Sequence, residues 1–157
     1  MQIRERRIDY LGVVVGRNQL KMDPKKVKGV RDWKTPRSPT DIRKFLEFTG
    51  FYRYFIEGYS SIACPLLDLT KKASSWLWGK REQNSFETLK EQMCAHPVLQ
   101  QPNFNKRFYL QTDASGYGLG AVLSQEGGPT DTITQNSKGK PKLHPIAYYS
   151  ATFTPTE

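Results

Sequence analysis

One carboxylate and one run of basic and aromatic residues hold the chemical interest of this sequence. In Thr112-Asp113-Ala114-Ser115-Gly116-Tyr117-Gly118-Leu119-Gly120-Ala121-Val122-Leu123, Asp113 closes a stretch of period-two alternation and precedes a glycine-rich turn. The alternate glycines match neither G-x-G-x-x-G nor the Walker pattern, and strand residues follow them, so a phosphate cradle is excluded. A carboxylate at the end of a strand can project from a sheet edge, where a divalent metal could bind. An Asp before a turn is equally an ordinary turn former.

The second candidate is a basic and aromatic face. Lys25, Lys26 and Lys28 share a short helical segment with Arg31, while Arg43, Lys44, Phe48, Gly50, Arg53 and Tyr54 lie off the apolar stripe of the next one. That stripe, Ile42, Phe45, Leu46, Thr49, Tyr52, Phe55 and Ile56, keeps the 3.6-residue period and should face a core. Two readings stand side by side. The lysines can be a solvated face and the aromatic rings can pack on neighbouring helices. Alternatively, Arg and Lys take phosphates along a duplex while Gly50 lets the backbone come close.

The elements that must position these residues follow from local signals. Residues 8–15 are β-branched and aromatic, Gly16-Arg17-Asn18 is a turn signal, and residues 19–22 form a second run, so a β-hairpin is expected. Asp23-Pro24 opens a helix carrying Val27, Val30 and Trp33, which Thr35-Pro36 ends. Ser38 caps the next helix, with Pro39 at its first position and Asp41 reaching back as in a capping box; the stripe carries it over 38–56. Ser60-Ser61 caps a third helix through Ile62, Leu66 and Leu69, with Pro65 in its first turn. Trp76-Leu77-Trp78 reads as packing between helices, and a fourth helix spans about 80–94 before His96-Pro97. Strands are expected near 107–112, 119–125 and 144–150, with a long polar hairpin loop over 126–142.

Composition sets the wider limits. At 157 residues the chain suits one domain or two partial ones. The net charge of +9 favours a polyanionic partner. The charge is uneven: residues 1–60 hold 14 Lys and Arg against 7 Asp and Glu, residues 113–157 only 3 against 4. Cys64 and Cys94 stand far apart with no Cys/His cluster, which argues against a zinc site or disulfide scaffold. No apolar run approaches the roughly 20 residues of a membrane span, and residues 1–7 lack a signal-peptide core. An intracellular protein, cytoplasmic or nuclear, with no membrane partner is expected.

Several blocks, in order, resemble the Pol polyprotein of gypsy-type LTR retrotransposons. They are Tyr10-Leu11-Gly12, Asp23-Pro24-Lys25-Lys26-Val27, Asp32-Trp33 to Pro36, Phe45-Leu46 through Tyr52-Arg53 to Phe55-Ile56, Ala63 to Leu69, Phe86 to Leu89, His96-Pro97-Val98-Leu99, and Thr112-Asp113-Ala114-Ser115 with Gly118 to Gln125. Colinearity of many short motifs is more specific than any one of them. The resemblance implies an α+β chain in three parts: residues 1–22 as the terminal hairpin of a missing palm, 23–75 as a helical thumb-like domain of a reverse transcriptase, and 76–157 as a truncated ribonuclease H-like domain.

The resemblance also implies roles. The helix over 38–56 would lie along the minor groove of a primer–template, with Arg53 on a basic position of the family. Tyr54 stands where a second basic residue is common and Gly50 where Asn is common. Asp113 matches the first of the carboxylates that together hold two Mg²⁺ ions in the intact enzyme. No Tyr-x-Asp-Asp segment is present, and Glu157 resembles the turn before the helix bearing the next ligand, so no stably bound Mg²⁺ is expected. The expected partners are RNA/DNA hybrid or duplex nucleic acid, together with the missing palm and remaining ribonuclease H segments of the polyprotein. Two alternatives remain open. One is a retrotransposon-derived protein-interaction module without nucleic-acid activity. The other is a broken gene copy, whose unpaired strand edges would leave residues 107–157 incompletely folded.

Overall fold

Short β-strands, glycine-marked turns and amphipathic helices give an α+β architecture, seen in a computed structural model that describes residues 8–127 and 142–154. Among the described residues there are two antiparallel sheets, of four and three strands, and four α-helices. The loop expected over 126–142 falls largely outside the described residues, as does Glu157.

The N-terminal run is two strands, not the one expected. β1 (Ile8–Tyr10) and β2 (Val13–Gly16) pair antiparallel with Tyr10 opposite Val13, so Leu11 and Gly12 form a two-residue loop. Both have positive φ, 49° and 80°, as the turn that matches strand twist requires. The β-branched run around Gly12 concealed that turn. β3 (Gln19–Met22) follows through Arg17-Asn18, and β4 (Val98–Gln100) joins its far side, with Leu99 opposite Leu20.

α1 (Pro24–Arg31) starts as expected: the Asp23 carboxylate accepts the Lys25 N–H at 2.9 Å, and Val27 and Val30 are buried. α2 (Pro39–Gly50) is shorter than its stripe suggested. Glycine is a poor helix former, and the chain turns after Gly50 into a 3-10 turn, Arg53–Phe55. Tyr52, Phe55 and Ile56 are buried all the same. Ser38 Oγ accepts the Asp41 N–H at 3.2 Å, but the Asp41 carboxylate reaches one residue beyond the capping-box position, to the Arg37 N–H at 3.0 Å.

α3 (Tyr59–Leu69) begins earlier than expected, after Gly58 at φ +67°. Ser60 is therefore inside the helix, and Pro65 sits past its first turn, with no N–H for the carbonyl four residues back. α4 (Lys80–Cys94) has its expected bounds, and Glu82 accepts the Gly79 N–H at 3.0 Å. Its buried Phe86, Leu89 and Met93 share one core with Val27, Ile42, Phe45 and Leu66. The Phe45 ring lies 4.8 Å from Phe86 and 5.6 Å from Trp33. The helix that sequence grouped with residues 76–157 thus packs on α1 and α3. Trp78 packs on Phe86, whereas Leu77 is exposed.

The second sheet is a meander of β5 (Phe108–Ala114), β6 (Gly118–Glu126) and β7 (Leu143–Thr152). β7 connects it to the rest, packing on α3, the 3-10 turn and β4. A side chain at Gly118 would meet the Ala151 carbonyl at 2.5 Å, which explains that glycine.

Candidate nucleic-acid interface and carboxylate strand

α1 buries two valines, so its remaining positions face out by periodicity alone. Lys25, Lys26, Lys28 and Arg31 are exposed, and no acidic residue occupies the first turn. The Lys26 ammonium lies 6.0 Å from the Phe48 ring centroid, bringing the lysines of α1 against α2.

Beside this contact Tyr52 donates to the Gly12 carbonyl at 2.9 Å, and Asp23 N–H donates to the same oxygen at 3.0 Å. Burial pushes the Tyr52 phenol up, with the Asp23 charge adding to it. The β1–β2 turn is thereby fastened to the 3-10 region and to the start of α1. It holds Tyr10 and Leu11 exposed at its tip. No local pattern pairs residues 40 apart, so sequence reading missed this clasp.

The other expected contacts are dispersed. Arg43 donates to the Thr70 carbonyl at 3.0 Å, at the C-terminal end of α3, where a cation is favoured by the helix dipole. Lys44 is exposed. Gly50 faces Tyr59: a β-carbon there would stand 3.4 Å from the Tyr59 hydroxyl. Tyr54 is 54% exposed.

Arg53 is engaged within the protein. One guanidinium nitrogen donates to Ser60 Oγ at 3.2 Å and to the Ser150 carbonyl at 3.0 Å, while its carbon lies 5.6 Å from the Tyr59 ring centroid. Ser60 and Ser150 complete the cluster: Ser60 N–H donates to Ser150 Oγ, and Ser60 Oγ donates to the Ser150 carbonyl, both at 2.9 Å. Tyr59 shares a 3.0 Å hydrogen bond with Thr49. Burial pushes the Tyr59 phenol up, and the Thr49 bond and the Arg53 charge oppose that shift. Nothing in the local sequence paired Ser60 with Ser150, 90 residues away.

Asp113 lies on β5, exposed, opposite Gly120 of β6, which is in turn opposite Ser150 of β7. Directly opposed residues share a sheet face, so Asp113, Gly120 and Ser150 form one row. No group of three or more His, Cys, Asp or Glu able to hold a metal occurs among the described residues. Among the described residues Asp113 therefore stands without the group of further carboxylates that a pair of Mg²⁺ ions would need. No helix among the described residues is long and apolar enough to cross a membrane.

Residues 78–157 match the family described as the RNase H-like domain found in reverse transcriptase. Over 128 residues the chain is 41% identical to the retrovirus-related Pol polyprotein from transposon 297 of Drosophila melanogaster, covering 81% of this chain and 12% of that protein. It is 34% identical over 143 residues to the corresponding polyprotein from transposon gypsy of the same organism, covering 83% and 14%. The chain therefore spans only about an eighth of the length of these relatives. Its fold is shared with foamy viral protease-reverse transcriptase, solved with dsDNA (TM-score 0.74, 20% identity, 96% of this chain and 29% of that one). A second structure of that protein, solved with an RNA/DNA hybrid, gives a TM-score of 0.72 at 20% identity, over 96% and 19%. With its C-terminal half matched to that domain and more than four-fifths of its length aligned with Pol relatives, the chain belongs to the family of RNase H-like domains found in reverse transcriptases.

Proposed function

We propose that this chain is the part of a retrotransposon reverse transcriptase/ribonuclease H that holds RNA/DNA hybrid or duplex nucleic acid, and that it is catalytically incomplete by itself. The observation that carries the reading is the outer side of α1, where Lys25, Lys26 and Lys28 are exposed with no acidic residue in the first turn. Such a face gains free energy by displacing condensed counterions from phosphates, whatever the base sequence. Lys44 extends it onto α2, and exposed Tyr54 offers a ring to a sugar or base. The complexes of foamy viral protease-reverse transcriptase with dsDNA and RNA/DNA hybrid support the same assignment. The remaining palm and ribonuclease H segments of the polyprotein are the protein partners in this reading, which the much greater length of the relatives supports.

The incompleteness rests on Asp113. It would supply only one carboxylate to a two-metal centre, and no Tyr-x-Asp-Asp segment provides polymerase carboxylates. A labelled RNA/DNA hybrid tests both halves. The chain should shift its anisotropy at low salt and leave it uncut over hours in millimolar Mg²⁺. Robust Mg²⁺-dependent cleavage would sink the incompleteness, and a folded chain without affinity would favour a protein-interaction module instead.

A further inference from the structure

Arg53 is among the residues expected to meet phosphate, and its guanidinium lies at the seam between helices and sheet. One nitrogen forks to Ser60 Oγ on α3 and the Ser150 carbonyl on β7. Ser150 Oγ accepts from the buried Ser60 N–H. Ser60 and Ser150 are 8% and 5% exposed, so water contributes little to these groups and each bond fixes geometry rather than merely adding contact. Tyr59, beneath the guanidinium, bonds to Thr49 and to the Leu46 carbonyl, so the network runs from α2 through Arg53 to β7. From Ser150 the cross-strand row passes Gly120 to Asp113. At the usual spacing between strands that is about 10 Å. Gly120 leaves this row without a side chain between its ends.

We propose that Arg53 is a positioning residue, a latch with Ser60 and Ser150 that locks the sheet carrying Asp113 at one register to the helices that hold nucleic acid. The inference rests on the reading of α1 and α2 as the nucleic-acid face. The apolar contacts of β7 hold the two units together but are not themselves directional. A forked, charge-assisted pair of hydrogen bonds sets both distance and angle. The latch would thus decide which phosphate along a bound hybrid comes to lie against the Asp113 row.

The test uses the full chain with Cys64 and Cys94 replaced by Ser and spin labels at Thr40→Cys on α2 and Tyr117→Cys beside the β5–β6 turn, both exposed. Double electron–electron resonance should give one narrow distance distribution, and Arg53→Gln or Ser60→Ala should broaden it. Neither substitution should change the salt dependence of hybrid binding, whereas removal of a phosphate ligand would lower the log–log slope by about 0.9. A distribution that stays narrow in both variants overturns the proposal. So does a narrow distribution with the slope lowered in Arg53→Gln, which would make Arg53 a phosphate ligand. If Arg53→Gln does not fold, Ser60→Ala, which deletes the hydroxyl that accepts from Arg53 and donates to the Ser150 carbonyl, carries the test. If the parent binds no hybrid, the nucleic-acid reading falls, and the distance distributions still decide whether the latch exists.

Discussion

Tyr52 and Gly12 are joined by a 2.9 Å hydrogen bond from the phenol to the main-chain carbonyl, and a β-carbon on Gly12 would stand 2.5 Å from that same phenolic oxygen. The glycine also has φ +80°. Gly12→Ala therefore meets both backbone strain and a clash, and should cost about 1–3 kcal/mol. Tyr52→Phe should cost less, about 0.5–1.5 kcal/mol, because the Gly12 carbonyl keeps the Asp23 N–H. At Gly29 on exposed α1 an added β-carbon would have no neighbour within 4 Å, so Gly29→Ala should stabilise by about 0.5–1 kcal/mol. Denaturant unfolding checks all three, and the opposite signs at two glycines are the point of the comparison.

Aromatic residues in one stretch should divide sharply by burial. Phe45 is fully buried against Phe86 and Trp33, and Phe45→Ala should cost about 3–5 kcal/mol. Phe51, in the turn that follows α2, is 56% exposed, and Phe51→Ala should fall within about 0.5 kcal/mol of the parent. Equal losses in chemical denaturation would contradict the packing described.

Much of this was legible in the sequence because it is local. Proline after a capping Asp or Ser fixed the starts of α1 and α2, period-two alternation found β5, and the strands expected at 119–125 and 144–150 match β6 and β7 to within two residues. What escaped was either small or distant. Leu11-Gly12 was a turn hidden in a β-branched run, and β4 was three residues without a pattern of its own. The apolar stripe beyond Gly50 persisted in burial after the helix itself had ended. At the candidate site, charge and periodicity exposed Lys25, Lys26 and Lys28. They could not show that the guanidinium of Arg53 turns toward Ser150, since that partner lies 97 residues away.

Acid should loosen the start of α2. The Arg37 N–H, then the Ser38 side chain, hold the Asp41 carboxyl below its ordinary value of 3.8. A carboxyl lowered on folding contributes stability that is present above its unfolded value and lost as pH falls through the lower folded value. The melting temperature of the parent should thus exceed that of Asp41→Asn at pH 6, and the gap should close as the pH is taken well below 3.8. A gap independent of pH would assign the effect to the side chain's shape rather than its charge.

The most direct measurement is the salt dependence of RNA/DNA hybrid binding by the parent and by a Lys25→Ala, Lys26→Ala, Lys28→Ala triple variant. Nucleic-acid contact through α1 predicts a steep, sequence-indifferent fall of affinity with salt in the parent. In the variant the log–log slope should be shallower by up to about 2.7, at about 0.9 for each phosphate it no longer neutralises. Identical slopes and affinities in the two proteins, with both folded, would contradict it.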